Sequence, residues 1–352
     1  MPDIIANLTQ GLPVEIGKID RELKRLWQEG EGAATRASLI NFAVYCEGSE
    51  CMQNTTEVIA QITQDHACRA ILIAVDPNTA GAGVQAWISA HCHLSRAGAK
   101  QVCCEQISFL LGRDGQTLIP NIVFSHLDSD LPLVLWWRGD LPAESEEQLW
   151  TWVDRLLFDS QAWKEPGDQF QLLRTSIEPV GPRMTLCDLN WTRSLYLRQA
   201  VAQIFDQPEH LTELDDLDSV EIVHGVGMWT TALLMAGWLG AQLQWKLEGK
   251  EPGGLKFEDR QGKPVTVTLR EEPGRPLGSI RLTAGETSIL VAHHEGSSFL
   301  YADIRLSGNR ETHSLMPGGK DDLVGLLNDE LMSGGKHKVY LKAVGMIEGS
   351  LG

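Results

Sequence analysis

The sequence predicts a mixed α/β protein in two parts: an N-terminal α/β sheet domain over residues 1–165 and a C-terminal α+β domain over residues 183–352. In the second part, helices are followed by an antiparallel β meander. Three observations predict this. The chain of 352 residues is more than twice the ~150 residues of a common domain. Two continuous apolar runs, residues 70–75 and 131–137, suit strands buried on both faces, and helical patterns stand between them. After Glu251-Pro252-Gly253-Gly254 the pattern becomes a series of short alternating segments, as antiparallel neighbours joined by short turns require.

Each element follows from its local pattern. Over residues 14–28, Ile16, Ile19, Leu23, Leu26 and Trp27 recur at helical spacing among charged residues. Residues 39–45 form an apolar strand. Asn54, with Glu57 three positions on, caps a helix running to about His66. The run 70–75 ends at Asp76-Pro77-Asn78. From Val84 to Leu94 the pattern alternates strictly, which is a half-exposed strand, and residues 101–111 form its antiparallel neighbour. Residues 117–127 read as a helix with Pro120 in its first turn, and residues 131–137 as the second buried strand. Ser145-Glu-Glu-Gln148 caps a helix through Phe158. The Pro- and Gly-bearing stretch 166–182 reads as the linker.

The second part opens with a helix over residues 191–205 and a strand over 220–223. Residues 226–243 carry no charge, but three glycines and polar Thr230, Thr231 and Gln242 dilute them, so they read as a helix buried in a soluble core rather than a membrane span. Alternating segments at 255–259, 265–269, 279–283, 288–292 and 299–306 make the meander. Residues 321–332 read as a helix and 338–344 as a last strand.

Charge and cysteine usage exclude whole classes. Thirty Lys and Arg against 47 Asp and Glu leave a net charge of −17, which repels nucleic acid and anionic lipid. Seven cysteines, an odd number, behind an N-terminus with neither a basic nor an apolar leader region indicate a cytoplasmic protein with mostly reduced thiols. No nucleic acid or membrane partner is expected.

Several constellations invite a chemical reading. Gly81-Ala-Gly83-Val-Gln-Ala86 has the letters of a dinucleotide fingerprint but leads into a strand, where that motif must open a helix. His224-Gly225-Val226-Gly227 lies between a strand and a helix, and its amides could cradle a phosphate. An enzyme or sensor for a sugar phosphate or nucleotide using the Gly225–Gly227 turn is therefore the alternative reading. His91 and His93 share a strand face, but Cys92 faces away and adjacent Cys103 and Cys104 cannot both point at one ion, so no metal is assigned. Cys46 and Cys51 are separated by four residues that could bring their sulfurs together, which makes them the candidate redox thiols. Trp136, Trp137, Arg138 and Asp140, at the carboxyl end of a central strand, are the candidate partner interface. Strand alternation predicts that one of the two tryptophans lies toward a cleft or the surface. No catalytic set and no cofactor site emerges.

Four segments together carry a resemblance: Ile19-Asp-Arg-Glu-Leu-Lys-Arg-Leu-Trp27, His66-Ala-Cys-Arg-Ala-Ile-Leu-Ile-Ala-Val-Asp-Pro77, the Leu131 to Pro142 segment, and Leu156-Leu-Phe-Asp-Ser160. With Trp191-Thr-Arg193 and Leu233-Leu-Met-Ala-Gly-Trp-Leu239 added, the chain resembles the glucose-6-phosphate dehydrogenase assembly protein family, OpcA, over nearly its whole length. The resemblance implies a non-catalytic protein that binds glucose-6-phosphate dehydrogenase and acts as its allosteric activator at the entry to the oxidative pentose phosphate pathway. Thiol redox control of family members in photosynthetic bacteria is implied as well, with no residue carried over onto Cys46 and Cys51.

Overall fold

A computed structural model describes residues 11–29, 34–94, 101–142, 147–180, 183–207, 214–294, 297–307, 310–333 and 338–351. The protein is mixed α/β, and the chain divides into two compact units, each with its own sheet. The first unit comprises residues up to Phe158 together with Leu172–Cys187, and the second comprises Asp159–Gln171 and Asp188 onward.

In the first unit the elements are β1 (Leu12–Val14), α1 (Ile19–Glu29), β2 (Ala34–Arg36), β3 (Ile40–Glu47), α2 (Ser49–Asp65), β4 (Cys68–Asp76), β5 (Val84–Leu94), β6 (Gln101–Gly112), α3 (Ile119–His126), β7 (Leu133–Trp137), α4 (Glu147–Trp152) and β8 (Arg155–Phe158). Helix α5 (Pro166–Leu172) follows and belongs, but for its last residue, to the second unit, and strand β9 (Thr185–Asp188) closes the list. The sheet order is β1-β5-β6-β4-β3-β7-β8-β9, with β2 alongside β6. Strands β6, β4, β3, β7 and β8 run parallel and wind outward from β3 in both directions. Phe42 through Cys46, Ala70 through Val75 and Leu133 through Trp137 are all buried, as doubly covered strands require. Helix α2 turns Met52, Thr55, Ile59, Ile62 and Thr63 inward at helical spacing.

Three expectations need correction here. Helix α2 starts at Ser49, not Asn54, because the chain turns directly out of β3 at Gly48, whose φ is 83°. The helix expected through Phe158 stops at Trp152, and Leu156, Leu157 and Phe158 instead extend the parallel sheet beside β7. The stretch read as a linker contains α5 and a π-helical turn at Leu173–Ile177, with Phe170, Leu173 and Ile177 buried.

The second unit contains α6 (Leu189–Thr192), α7 (Leu195–Ile204), β10 (Ser219–His224), α8 (Trp229–Leu243), β11 (Lys246–Glu251), β12 (Gly254–Glu258), β13 (Pro264–Glu271), β14 (Leu277–Ala284), β15 (Thr287–His293), β16 (Phe299–Leu306), β17 (Arg310–Pro317), α9 (Leu323–Met332) and α10 (Lys338–Ile347). Its sheet order is β11-β12-β13-β10-β14-β15-β16-β17. The meander is thus interrupted by β10, which pairs parallel to β13 and antiparallel to β14. Helix α8 is buried on all sides from Thr230 to Gly240. No helix among the described residues is long and apolar enough to cross a membrane.

The expected last strand is helix α10. Its buried residues Tyr340, Ala343, Val344 and Ile347 follow helical spacing, while Val339 and Leu341 are exposed. This helix packs against α8 so closely that a Cβ on Gly237 would collide with the Ala343 carbonyl oxygen.

Candidate functional site

The carboxyl ends of β3 and β7 lie side by side at the point where the winding of the first sheet reverses, the usual ligand position in such sheets. Beyond β3, Glu47 and Gly48 lead into the first turn of α2, which carries Cys51 and then Thr55. Beyond β7, the Arg138 guanidinium reaches across. Its Nη1 donates to Thr55 Oγ1 and, at 3.4 Å, to the Cys51 carbonyl oxygen, and the group lies 4.9 Å from the Trp136 ring centre. Three of the residues singled out in the sequence, Cys46, Cys51 and Arg138, therefore meet in one cluster.

The two thiols are not equivalent. Cys46 donates to the Cys51 sulfur, and this bond, with burial behind it, pushes the Cys46 thiol well up. The same bond lowers Cys51 to about 6, against the opposing effect of burial and with help from the Arg138 charge and Thr55. At neutral pH the cluster holds a thiolate at a helix start, partly open to solvent, beside a protonated thiol. Thr55 was missed in the sequence, although it stands one helical turn after Cys51.

Both tryptophans are buried, Trp136 to 2% and Trp137 to 4% exposure, which corrects the expectation that one faces a cleft or the surface. The reason is that β7 lies between β3 and β8 and is covered on both faces. Trp137 stacks on Tyr45 with ring centres 3.9 Å apart, and its Nε1 donates to the Asp140 carbonyl oxygen at 2.9 Å. Arg138 and Asp140 are half-buried, flanking Gly139 at φ 96°.

Five of the seven cysteines are free, in line with mostly reduced thiols, and one pair is bonded. Cys92 and Cys103 are direct partners across β5 and β6, with Cα atoms 4.1 Å apart, and are joined as a disulfide. Next to it, Cys68 and Cys104 share a hydrogen bond that pushes Cys68 up and lowers Cys104 to about 7. His91 bonds Gln106 at 2.7 Å. No group of three metal-ligating side chains occurs among the described residues.

Where phosphates could have been held, carboxylates stand. The loop after β3 reads Glu47-Gly48-Ser49-Glu50, with Glu47 and Glu50 exposed at the start of α2. At the Gly225–Gly227 turn, the Gly227 amide donates to Glu271 Oε2 at 2.9 Å and its carbonyl accepts from Gln161 at 2.7 Å. The Gly81 amide is likewise taken, by Asp114 Oδ2 at 2.9 Å.

The second unit holds a polar cluster that the sequence does not show as one site, because its members lie far apart in the chain, although Asp159, Ser160 and Arg193 fall in segments that carry the family resemblance. Buried Asp188 accepts from the Ser160 amide and hydroxyl, the Asn190 amide and, at 3.1 Å, the Tyr340 hydroxyl. Burial first, and the Asp159 charge second, raise its carboxyl to about 7 despite these donors. Asp159 is held by both terminal nitrogens of Arg193, at 2.7 and 2.6 Å.

Residues 59–175 match the family model described as glucose-6-phosphate dehydrogenase subunit N-terminal domain, and residues 184–344 match the corresponding C-terminal domain. A protein of Synechocystis sp., provisionally named OxPP cycle protein OpcA, is 28% identical over 58% of this chain and 46% of its own length, so the match spans about half of that relative. Among solved structures, the dehydrogenase MviM of Clostridium difficile is similar at 10% identity and TM-score 0.43, covering 88% of this chain and 98% of that one. The UDP-N-acetylglucosamine 3-dehydrogenase GnnA of Acidithiobacillus ferrooxidans reaches 10% and 0.44, covering 90% and 100%. Biliverdin reductase of Synechocystis sp. reaches 9% and 0.46, covering 88% and 98%. Likenesses this distant say nothing of activity.

Proposed function

This chain belongs to the OpcA glucose-6-phosphate dehydrogenase assembly family, and from that membership we propose that it is a non-catalytic, cytoplasmic partner of glucose-6-phosphate dehydrogenase that activates the enzyme allosterically. Its place of action is the entry to the oxidative pentose phosphate pathway. The observation that carries the reading is the match of the family's N- and C-terminal domains in order along most of the chain. The chemistry of the fold supports it. A doubly wound sheet offers a dinucleotide seat at the end of β3, and here that seat carries Glu47 and Glu50, whose charges oppose a pyrophosphate. Within this reading Arg138 and Asp140 are the proposed partner contact, and Cys46 and Cys51 the proposed redox thiols.

The test is a titration of the purified chain into the cognate dehydrogenase, with initial rates measured over a range of glucose 6-phosphate. A shift in apparent affinity or turnover is expected, on the usual coupling scale of about 1–3 kcal/mol, and substrate must tighten binding of this chain reciprocally. Superimposable rate curves with and without the chain would remove the proposal. So would turnover of glucose 6-phosphate by the chain alone, since it is proposed to be non-catalytic.

A further inference from the structure

The sheet of the second unit buries one face under its own helices and leaves much of the other exposed. On the inward side Ile222, Ile280, Ile289, Val291 and Leu300 are buried. On the outward side Arg281 and Arg305 are exposed, with Phe299 at 53% and Leu315 at 69% exposure. Two large apolar side chains this exposed on one sheet face suit a contact surface.

The strand registers fix what stands beside what. Strands β10, β14, β15, β16 and β17 are consecutive, with β15 in the middle. One outward row across them reads Glu221, Arg281, Leu290, Asp303, His313, and the next reads Val223, Ser279, Ala292, Tyr301, Leu315, of which Val223 and Ala292 are buried. A third reads Ser219, Thr283, Ser288, Arg305, Glu311.

We propose that this face binds a second copy of the chain, the two sheets packing face to face about a two-fold axis that runs along β15. Such an axis exchanges the strands on either side of β15. Arg281 then meets Asp303 of the second copy, Glu221 meets His313, and Leu290 meets its own counterpart. In the third row Ser219 meets Glu311 and Thr283 meets Arg305. Opposite charges are paired twice over by symmetry, and no like charges are brought together in any row.

Charge is also what favours a copy of this chain as the occupant. At a net −17, two copies repel over most of their surfaces. On this face the cations Arg281 and Arg305 balance Asp303 and Glu311, with Arg305 already 3.1 Å from Glu311 and His313 2.7 Å from Asp303. Exposed Phe299 and Leu315 beside a balanced, self-complementary charge pattern suit an isologous interface.

The test is the solution mass of the full chain by sedimentation or light scattering at micromolar concentration. A mass twice the 38.9 kDa of one chain is expected. Leu315→Asp and Arg281→Asp should each halve it, with circular dichroism unchanged. Combining Arg281→Asp with Asp303→Arg exchanges the charges and should restore the dimer, which a dimer formed through any other surface would not require. If Leu315→Asp unfolds the chain, Arg281→Asp and the exchanged pair decide. A monomeric wild type, single variants that stay dimeric, or an exchanged pair that stays monomeric overturns the proposal. A monomer that loses dehydrogenase binding on Leu315→Asp would assign the face to that enzyme and overturn it too.

Discussion

Trp137 is pinned on every side, by Tyr45 against its ring, Trp150 at 5.9 Å and the Asp140 carbonyl on its Nε1. Its truncation therefore acts on the fold: Trp137→Ala is expected to cost ~3–5 kcal/mol, read as a drop in urea midpoint and melting temperature. Cys51 behaves differently, because its acidity is borrowed from neighbours. Mass-spectrometric alkylation of Cys51 should show a midpoint near pH 6, moving upward in Cys46→Ala, which removes the largest cause, and less in Arg138→Met. An unchanged midpoint in Cys46→Ala would contradict the hydrogen-bonded pair. At Asp188 the folded carboxyl is raised from 3.8 to about 7, so between those values the folded state binds the extra proton. Stability from this group is present at the acid end of that window and falls as pH rises through it, by up to about 1.4 kcal/mol per pH unit. Urea melts of wild type and Asp188→Asn between pH 4.5 and 7.5 should diverge with that sign, the wild type losing ground to the variant as pH rises.

At the scale of elements, closeness of approach is what patterning could not convey. Gly237 and Gly240 in α8 dilute its hydrophobicity in the sequence, yet Gly237 is where the α10 backbone comes nearest. The obstructing atom there is a carbonyl oxygen and not a flexible side-chain tip. Gly237→Ala should force the helices apart at a cost of about 1–3 kcal/mol, measured by chemical denaturation, although alanine is the better helix former. A neutral or stabilising result would mean that the two helices can slide apart freely. The same pair explains why residues 338–347 are helical: the buried stripe of α10 exists only because α8 offers a face for it. Likewise Leu156, Leu157 and Phe158 can be read as helix or strand by themselves, and β7 decides for strand by offering an edge.

For the whole molecule, the connectivity between the units makes a prediction about fragments. The chain passes between them after Phe158, Gln171 and Cys187. A fragment ending at residue 165 lacks β9, so it should unfold at lower urea than one ending at residue 187, which keeps the stretch through Cys187. Equal midpoints would show that β9 adds nothing to the first sheet. The sequence by itself determined the fold class, the buried strands β3, β4 and β7, the β5–β6 hairpin and most of the second sheet, because period and apolar run length are local properties that burial imposes residue by residue. It also carried the family, through segments spread along the chain. Only the tertiary structure decided that Cys46, Cys51, Thr55 and Arg138 form one cluster, that both tryptophans are buried, that Cys92 pairs with Cys103, and that Asp188 gathers Ser160, Asn190 and Tyr340. These depend on strand order, register and the approach of helices, which set distances between residues that the chain keeps far apart.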